Sequence, residues 1–202
     1  MILAVSKQQS ADAVEAAWQA GQRHFAENYL QEALAKMDRL GRLDIEWHFV
    51  GRIQSNKTRP IAERFDWVHT VDRARIAVRL NDQRPASLPP LNVLIQVKQA
   101  GETQKAGVAP PAVEALARLI VAQPRLRLAG LMTLPPVAEP PEGNAAYFHE
   151  LCNLRERLAA RGIAMDALSM GMSADFETAI ACGSTCVRIG TAIFGVRTPG
   201  GG

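Results

Sequence analysis

Apolar and polar positions follow two rhythms along the chain. Short runs rich in apolar and β-branched residues, typical of strands, are each followed by a longer segment with helical spacing. Eight such runs predict strands at Ile2–Val5, His24–Ala26, Glu46–Val50, Trp67–Val71, Leu91–Val97, Leu126–Met132, Ala167–Met170 and Cys186–Ile189. Because strand and helix alternate strictly, we expect parallel strands joined by right-handed crossovers.

Eight strand–helix units predict an α/β fold: a single-domain (β/α)8 TIM-type barrel over residues 1–197. The alternative is an open doubly wound sheet, because a run as short as His24–Ala26 is weak evidence for closure. The glycine-rich tail, Thr198–Gly202, is expected to be disordered.

Capping residues predict where helices begin and end. Ser10 is the expected N-cap of the first helix, and Gly21 its stop. Asn28 is expected to start the second helix, and Gly41 to close it.

Composition places the chain among ordinary globular proteins. Its 202 residues are 48% apolar and 21% charged, which excludes a disordered, collagen-like or coiled-coil chain. No stretch approaches roughly 18 uncharged apolar residues, so no membrane partner is expected. Cys152, Cys182 and Cys186 are too few and too oddly numbered for a disulfide framework, so a reducing, cytoplasmic compartment is expected.

Charge and metal-ligand types add little. The net charge is only +3. Four arginines cluster along one segment: Arg73, Arg75, Arg79 and Arg84. Since no aromatic residues interleave to stack bases, we interpret this cluster as a solvated helix face and expect no nucleic-acid partner.

Four histidines are scattered along the chain: His24, His48, His69 and His149. They lack the spacing of ligand motifs and are interpreted as packed or surface side chains. Cys182 and Cys186 have no partner pair, so no metal site is predicted.

The carboxyl ends of the strands carry function in a βα barrel, and Lys7 directly follows the first run. A partly desolvated amine near other cations is a nucleophile suited to Schiff-base chemistry. The alternative is an ordinary surface lysine.

Gly190 and Thr191 follow the last run, where a short helix is expected. N–H groups at a helix start bind phosphate, and glycine permits close approach. Ser173, in the preceding loop, is expected to add a hydrogen bond, because barrels often hold phosphate after strands seven and eight. A turn glycine and an N-cap serine are the alternatives.

Arg188 lies between Val187 and Ile189 within a predicted strand, so its charge needs a partner. Besides a role in the site, a buried ion pair with a carboxylate is the alternative.

At these residues the chain resembles the pyridoxal phosphate homeostasis proteins of the YggS/PROSC type, which are small barrels related to the N-terminal domain of alanine racemase. The resemblance covers residues 4 to 195 and rests on AVSK from Ala4, HFAENYLQE from His24, EWHFVGRIQSNK from Glu46, ETQKAG from Glu102, LRLAGLMTLP from Leu126 and SMGMSADFETAIACGSTCVRIGTAIFG from Ser169. AVSK and the last segment together are highly specific.

The resemblance implies a cofactor-binding role for seven residues and a catalytic role for none. Lys7 would hold pyridoxal 5'-phosphate (PLP) as a Schiff base. Gly190, Thr191 and Ser173 would hold the phosphate, and Arg188 would face the pyridine nitrogen. Asn28 and Met172 would line the ring site.

Two functions are weighed on this basis. The first is a homeostasis protein that holds PLP reversibly, limits the free aldehyde and delivers it to PLP-dependent apoenzymes. The second is an amino-acid racemase of the alanine-racemase type, which needs a second proton donor, such as a tyrosine. Neither Tyr29 nor Tyr147 lies at an obvious strand end, so the first function is favoured. A monomer is expected because no second domain offers a dimer arm.

Three departures from the family pattern are visible. The family usually has a further helix before AVSK, whereas Met1 lies three residues before Ala4, so apolar barrel surface is expected to be exposed. Ala26 replaces a usual glycine, which questions the close backbone approach at strand two. Lys98 replaces a usual asparagine and is assigned no role.

Overall fold

A computed structural model describes residues 1–99, 106–135 and 141–195 of the chain. Within these ranges, eight parallel strands close into one barrel in the order β1 to β8. The strands are β1 (Ile2–Val5), β2 (His24–Glu27), β3 (Glu46–Phe49), β4 (Trp67–Val71), β5 (Leu91–Gln96), β6 (Leu126–Met132), β7 (Ala167–Met172) and β8 (Cys186–Ile189). The pairing of β1 with β8 confirms the closed barrel and removes the open sheet.

A helix follows each strand. The helices are α1 (Ala11–Gln19), α2 (Leu30–Leu40), α3 (Thr58–Arg64), α4 (Ala74–Gln83), α5 (Pro110–Val121), α6 (Ala145–Ala159), α7 (Phe176–Ala181) and α8 (Thr191–Phe194). Short 3-10 turns precede α3 and α6, at Ser55–Lys57 and Pro141–Asn144.

The first helix has the predicted boundaries, whereas the second has the predicted end, at Gly41, but not the predicted start. Ser10 Oγ accepts a hydrogen bond from the Ala13 N–H at 3.1 Å, and Gly21 has φ of 101°. The second helix begins at Leu30, two residues after the predicted start at Asn28. The reason is the extended backbone of Tyr29, with φ −118° and ψ 115°, which takes the N-cap position.

Side chains alternate between the two faces of each strand and so form separate cores. The large cluster lies between strands and helices and includes Phe25, Phe49 and Phe65. Two smaller clusters face the barrel interior; Ala26 belongs to the one that includes Leu3 and Cys186, while Leu94, Ala129 and Met132 form the other. The Ala26 methyl is fully buried, so the interior accommodates this departure from glycine.

A polar column occupies the barrel interior as well. His48, His69, Ser169 and Arg188 are all buried. His48 Nδ1 lies 3.0 Å from His69 Nε2, and His69 Nδ1 lies 3.0 Å from Ser169 Oγ. Burial lowers the pKa of His69 to about 3, so this ring is neutral at pH 7. His48 and His69 are thus packed, in agreement with the interpretation of the sequence, and together with the half-buried His24 they form one connected line.

The arginine cluster is only partly a solvated face. Arg75 is exposed, and Arg79 donates to Thr58 Oγ1 at 3.1 Å. Arg84 is buried and donates to the carbonyls of Ala62 and Phe65, both at 2.7 Å. The prediction was wrong for Arg84, because its position just after α4 turns the guanidinium inward to cap the end of α3.

An apolar groove of about 910 Å³ runs along the barrel flank beside α1, α7 and α8. Ile2, Ile180 and Ile193 are exposed along it. No helix in the described ranges is long and apolar enough to cross a membrane. The tail that was expected to be disordered lies outside the described residues.

Candidate functional site

One cavity of about 690 Å³ opens at the carboxyl ends of the strands. All seven residues singled out in the sequence line it: Lys7, Asn28, Met172, Ser173, Arg188, Gly190 and Thr191. The fold therefore brings together residues that are up to 184 positions apart, because β1, β2, β7 and β8 are neighbours in the closed barrel. Val5, Val50 and Met132 add apolar walls that the sequence analysis did not single out.

Lys7 sits in a tight turn after β1. The Ser6 N–H donates to the Ala26 carbonyl at 2.9 Å, and the Gln9 N–H donates to the Ser6 carbonyl at 3.0 Å. Gln8 has φ of 61°, an unusual value for a residue other than glycine. Lys7 itself is half-buried, and no residue in the described ranges accepts a hydrogen bond from its amine. The turn is fixed while the amine stays available.

A buried ion cluster from α2 holds this turn in place. Lys36 Nζ donates to the Ser6 carbonyl at 2.6 Å, to Glu27 Oε1 at 2.7 Å and to Glu32 Oε1 at 2.6 Å. Glu32 also accepts a hydrogen bond from the Gln8 N–H. The residues on both sides of Lys7 are therefore bonded to one cluster.

Glu27 is the most buried member of the cluster. Its side chain is fully buried, and Ser6 Oγ donates to its Oε1 at 2.6 Å. Burial raises the pKa of Glu27, although the hydrogen bonds from Lys36 and Ser6 oppose that shift. Removing one member of the Lys36–Glu27 pair would leave the other as an uncompensated buried charge.

Asn28 brings a free polar atom to the cavity. Its Oδ1 is buried and has no hydrogen-bond partner among the described residues. A methyl added at Gly51 would lie 2.0 Å from the Asn28 carbonyl oxygen, so only glycine permits this approach of β3 to β2. A buried amide oxygen without a partner is costly unless a ligand or water binds it.

Arg188 enters the cavity from β8 and is held by neutral groups. Nη1 donates to Ser169 Oγ at 2.8 Å, and Nη2 donates to the Thr133 carbonyl at 2.9 Å. In the described part of the chain, no carboxylate lies within ion-pair distance of Arg188, so the described residues do not supply the buried ion pair that was the alternative. Burial lowers the pKa of this guanidinium, but arginine remains protonated at any ordinary pH.

The end of β7 places Met172, and the loop that follows places Ser173. Gly171 has φ of 93°, and a methyl there would lie 2.5 Å from Ala179 Cβ. The buried Asp175 accepts a hydrogen bond from the Met172 N–H at 2.7 Å and another from Asn144 Nδ2 at 2.7 Å. Ser173 is half-buried between these two fixed points.

Gly190 and Thr191 complete the cavity rim. Gly190 has φ of −112°, and a methyl there would lie 3.6 Å from the Val5 carbonyl oxygen, an ordinary contact. The fold does not require glycine at this position, but a side chain would take up cavity space. Because α8 is a single turn, the hydroxyls of Thr191 and Ser173 are better anion donors here than a helix dipole.

Sequence reasoning missed the residues that position the site. Lys36 lies on the apolar face of α2, between Ala33 and Met37, and a lysine among buried positions is a detectable signal. Asp175 gave no such signal, because its partner Asn144 is 31 residues away.

The arrangement joins an available amine, two hydroxyls and a fixed guanidinium around apolar walls. An amine can bond covalently to an aldehyde, and hydroxyls together with a guanidinium can bind anionic and nitrogen-acceptor groups. Neither Tyr29 nor Tyr147 lines the cavity as described.

Comparison with known proteins agrees with this geometry. The chain matches the alanine racemase N-terminal domain model over residues 1–198. It is 55% identical over 199 residues to the pyridoxal phosphate homeostasis protein of Pseudomonas aeruginosa, covering 98% of this chain and 85% of that protein. The corresponding protein of Vibrio cholerae is 50% identical over 200 residues, covering 97% and 85%.

A solved structure extends the comparison to the fold. PipY of Synechococcus elongatus, solved with PLP bound, is 36% identical with a TM-score of 0.89, covering 96% of this chain and 92% of that one. Sequence identities of this size, over nearly the whole length of both chains, indicate a shared family and not only a shared fold. The chain therefore belongs to the pyridoxal phosphate homeostasis protein family, whose barrel is that of the alanine racemase N-terminal domain.

Proposed function

We propose that this protein binds PLP in the cavity, holds it reversibly as a Schiff base on Lys7, and serves intracellular PLP homeostasis. The observation that carries the proposal is the convergence of Lys7, Arg188, Ser173 and Thr191 on one cavity. The names of the close relatives and the PLP bound to PipY point to the same ligand.

The cavity fits the cofactor on three counts. Its volume of about 690 Å³ lies within the range of about 300–1,000 Å³ that small-molecule sites occupy. Val5, Val50 and Met132 supply apolar surface for a flat ring. The unpartnered Asn28 Oδ1 offers an acceptor for a polar substituent.

Bound PLP supplies an aldehyde that reacts with amines and a ring that withdraws electrons. The Lys7 amine adds to the aldehyde carbon, and the carbonyl oxygen leaves as water. The turn from Ser6 to Gln9, fixed by Lys36, presents the amine without consuming it. Hydroxyls of Ser173 and Thr191 donate to the phosphate across the cavity.

Arg188 favours holding over catalysis. A guanidinium only donates hydrogen bonds, so it keeps a facing pyridine nitrogen unprotonated. The ring is then a weaker electron sink than one paired with a carboxylate, and carbanions next to it are poorly stabilised. The absence of an ion pair between Arg188 and any described carboxylate strengthens this reading.

A racemase is the weaker candidate. Two-base racemisation needs an acid on the ring face opposite the lysine. Tyr29 is 54% exposed and, like Tyr147, lies away from the described cavity lining.

Delivery of PLP to apoenzymes, a monomeric state and a cytoplasmic location complete the proposal.

Two measurements separate these functions. With PLP added, the protein should show a visible absorption band that disappears in Lys7→Ala. Incubated with amino acids in heavy water, it should not exchange their α-hydrogens beyond the rate of free PLP. Rapid exchange that Lys7→Ala abolishes would establish the racemase instead.

A further inference from the structure

The amino-terminal end of the barrel carries a second polar cluster, at the end opposite the cavity. His24 and Glu46 are the first residues of β2 and β3, and they pair in register. His48 lies two residues further along β3, so its side chain points to the same face as that of Glu46. Trp67 begins β4, and its ring stacks on the His48 imidazole at a centroid distance of 5.3 Å.

Three possible metal ligands meet in this cluster. His24 Nδ1 lies 3.3 Å from His48 Nε2 and 3.4 Å from Glu46 Oε2. All three ligand atoms lie within 4.8 Å of one another. Zinc–nitrogen bonds of about 2.0–2.1 Å at tetrahedral angles place two ligand atoms about 3.3–3.4 Å apart. The two short separations therefore match edges of a tetrahedral zinc site.

We infer that His24, Glu46 and His48 form a binding site for a divalent transition-metal cation of the zinc type. Two imidazoles and a carboxylate are a ligand set that such cations accept, with water in the fourth position. The side chains of His24 and Glu46 are 31% and 51% exposed, which gives the cation access from solvent. Spacing along the chain does not reveal the site, because the ligands come from adjacent strands.

The groups behind the ligands suit this role. Trp67 Nε1 donates to Glu46 Oε2 at 3.0 Å. His48 Nδ1 contacts His69, which contacts Ser169, so the ring protons can point inward and leave a lone pair on His48 Nε2. Such outer hydrogen bonds fix the tautomer of a ligating histidine.

Without a cation, the cluster has fewer hydrogen-bond donors than acceptors. With the inward proton order, His48 Nε2 and Glu46 Oε2 share the single N–H of His24 Nδ1, and Glu46 Oε2 has one further donor, Trp67 Nε1. Over the ranges that the structure covers, no lysine or arginine forms an ion pair with Glu46. A divalent cation satisfies all three acceptors and compensates the Glu46 charge.

Titration of the metal-free full-length protein with Co²⁺ tests the inference, since Co²⁺ reports tetrahedral coordination through its visible absorption. One equivalent should bind with that spectrum, and Zn²⁺ should displace it. His24→Gln and Glu46→Gln, both at accessible positions, should each weaken binding at least tenfold, because even outer hydrogen bonds contribute about 10–100-fold. His48→Gln is a less suitable variant, because its side chain is buried in the barrel.

His149→Gln is the matched control, because His149 contacts Cys182 Sγ at 3.5 Å in a separate region that offers an imidazole and a thiol. It should leave the one-equivalent site unchanged. The inference is overturned if Co²⁺ binds more weakly than about 1 mM, or if His24→Gln and Glu46→Gln leave the affinity unchanged. A cobalt–thiolate band that His149→Gln alters would likewise assign the metal to Cys182 and overturn it.

Discussion

Two basic side chains enter the same cavity, and the barrel holds them in opposite ways. The turn that carries Lys7 is fixed through its neighbours, by the charged cluster of Lys36, Glu27 and Glu32, while its own amine has no described partner. Arg188 is fixed through its own guanidinium, by a neutral hydroxyl and a carbonyl. The cavity therefore contains the Lys7 amine, without a described partner, on a rigid turn. It also contains the Arg188 guanidinium, which its own hydrogen bonds hold rigid.

The difference suits the roles that we propose for the two groups. A nucleophile that was already hydrogen-bonded would lose that bond on reacting, so the stabilising contacts lie one residue away on either side of Lys7. A hydrogen-bond donor needs only a fixed direction, so it can take its own partners. The ion pairs of the site accordingly lie under the loop of Lys7, and Arg188 forms none with a described residue.

The largest effect is expected at the amine. Lys7→Ala should abolish PLP that survives denaturation after borohydride treatment, because the covalent bond has no other described donor in the cavity. Weak, dialysable binding through the phosphate donors should persist. Lys57→Gln, a half-buried lysine outside the cavity lining, is the control and should retain the label.

The next largest effect is expected at Lys36, which supports the turn of Lys7. Lys36→Met leaves Glu27 buried without its cation and should lower the free energy of unfolding by about 3–5 kcal/mol in urea denaturation. Arg39 lies in α2, like Lys36, and Arg39→Ala breaks its exposed pair with Asp12 of α1, which should cost only about 0–1 kcal/mol. Equal losses in the two variants would mean that the cluster under Lys7 is not a special support.

The loss of stability in Lys36→Met should depend on pH. Loss of Lys36 raises the pKa of Glu27 further above its ordinary value of 4.5. A folded-state pKa above the unfolded one means that the folded protein holds its proton more tightly, so stability is lost as pH rises through the folded pKa. Unfolding curves should therefore show a smaller deficit for Lys36→Met at pH 5 than at pH 8. A deficit that grows toward low pH would contradict this assignment.

A smaller effect is expected at Arg188, on the affinity for PLP and not on its covalent attachment. Arg188→Gln should weaken PLP binding by about 1–3 kcal/mol, through loss of a charged hydrogen bond, yet Lys7 should still be labelled by borohydride. Equilibrium dialysis gives the first quantity and the bound label the second. Complete loss of label in a folded Arg188→Gln variant would remove the distinction between the two basic residues.

The smallest effect is expected at the rim. Thr191→Ala removes one of two hydroxyl donors and should weaken PLP retention by about 0.5–1.5 kcal/mol, roughly 2- to 12-fold. Ser173→Ala should behave similarly, and the double variant should lose more than either. Unchanged retention in all three would show that the phosphate lies elsewhere.

The sequence predicts much of this fold because strand ends are local features. The positions of Lys7 and Thr191 follow from apolar runs next to them, and the closed barrel then brings them together. The support of Lys7 is less visible, since a buried Lys36 depends on two carboxylates and a carbonyl that only tertiary packing supplies. The line of His24, His48 and His69 is hidden for the same reason: its spacing belongs to neighbouring strands, not to one segment.

The helix boundaries show the same limit on a smaller scale. Ser10 and Gly21 act within their own helix and are predicted correctly. The start of α2 lies at Leu30 instead of Asn28 because Tyr29 is extended and takes the N-cap position, while Asn28 continues from β2 and its carbonyl lies close to Gly51 of the next strand connection.

The most direct test of the account is the site of covalent attachment. PLP bound to the wild-type protein is reduced with borohydride, the protein is digested, and the labelled peptide is identified by mass spectrometry. The account predicts a single adduct on Lys7, in the peptide that contains AVSK. An adduct on another lysine instead, or retained PLP with no adduct at all, would contradict it.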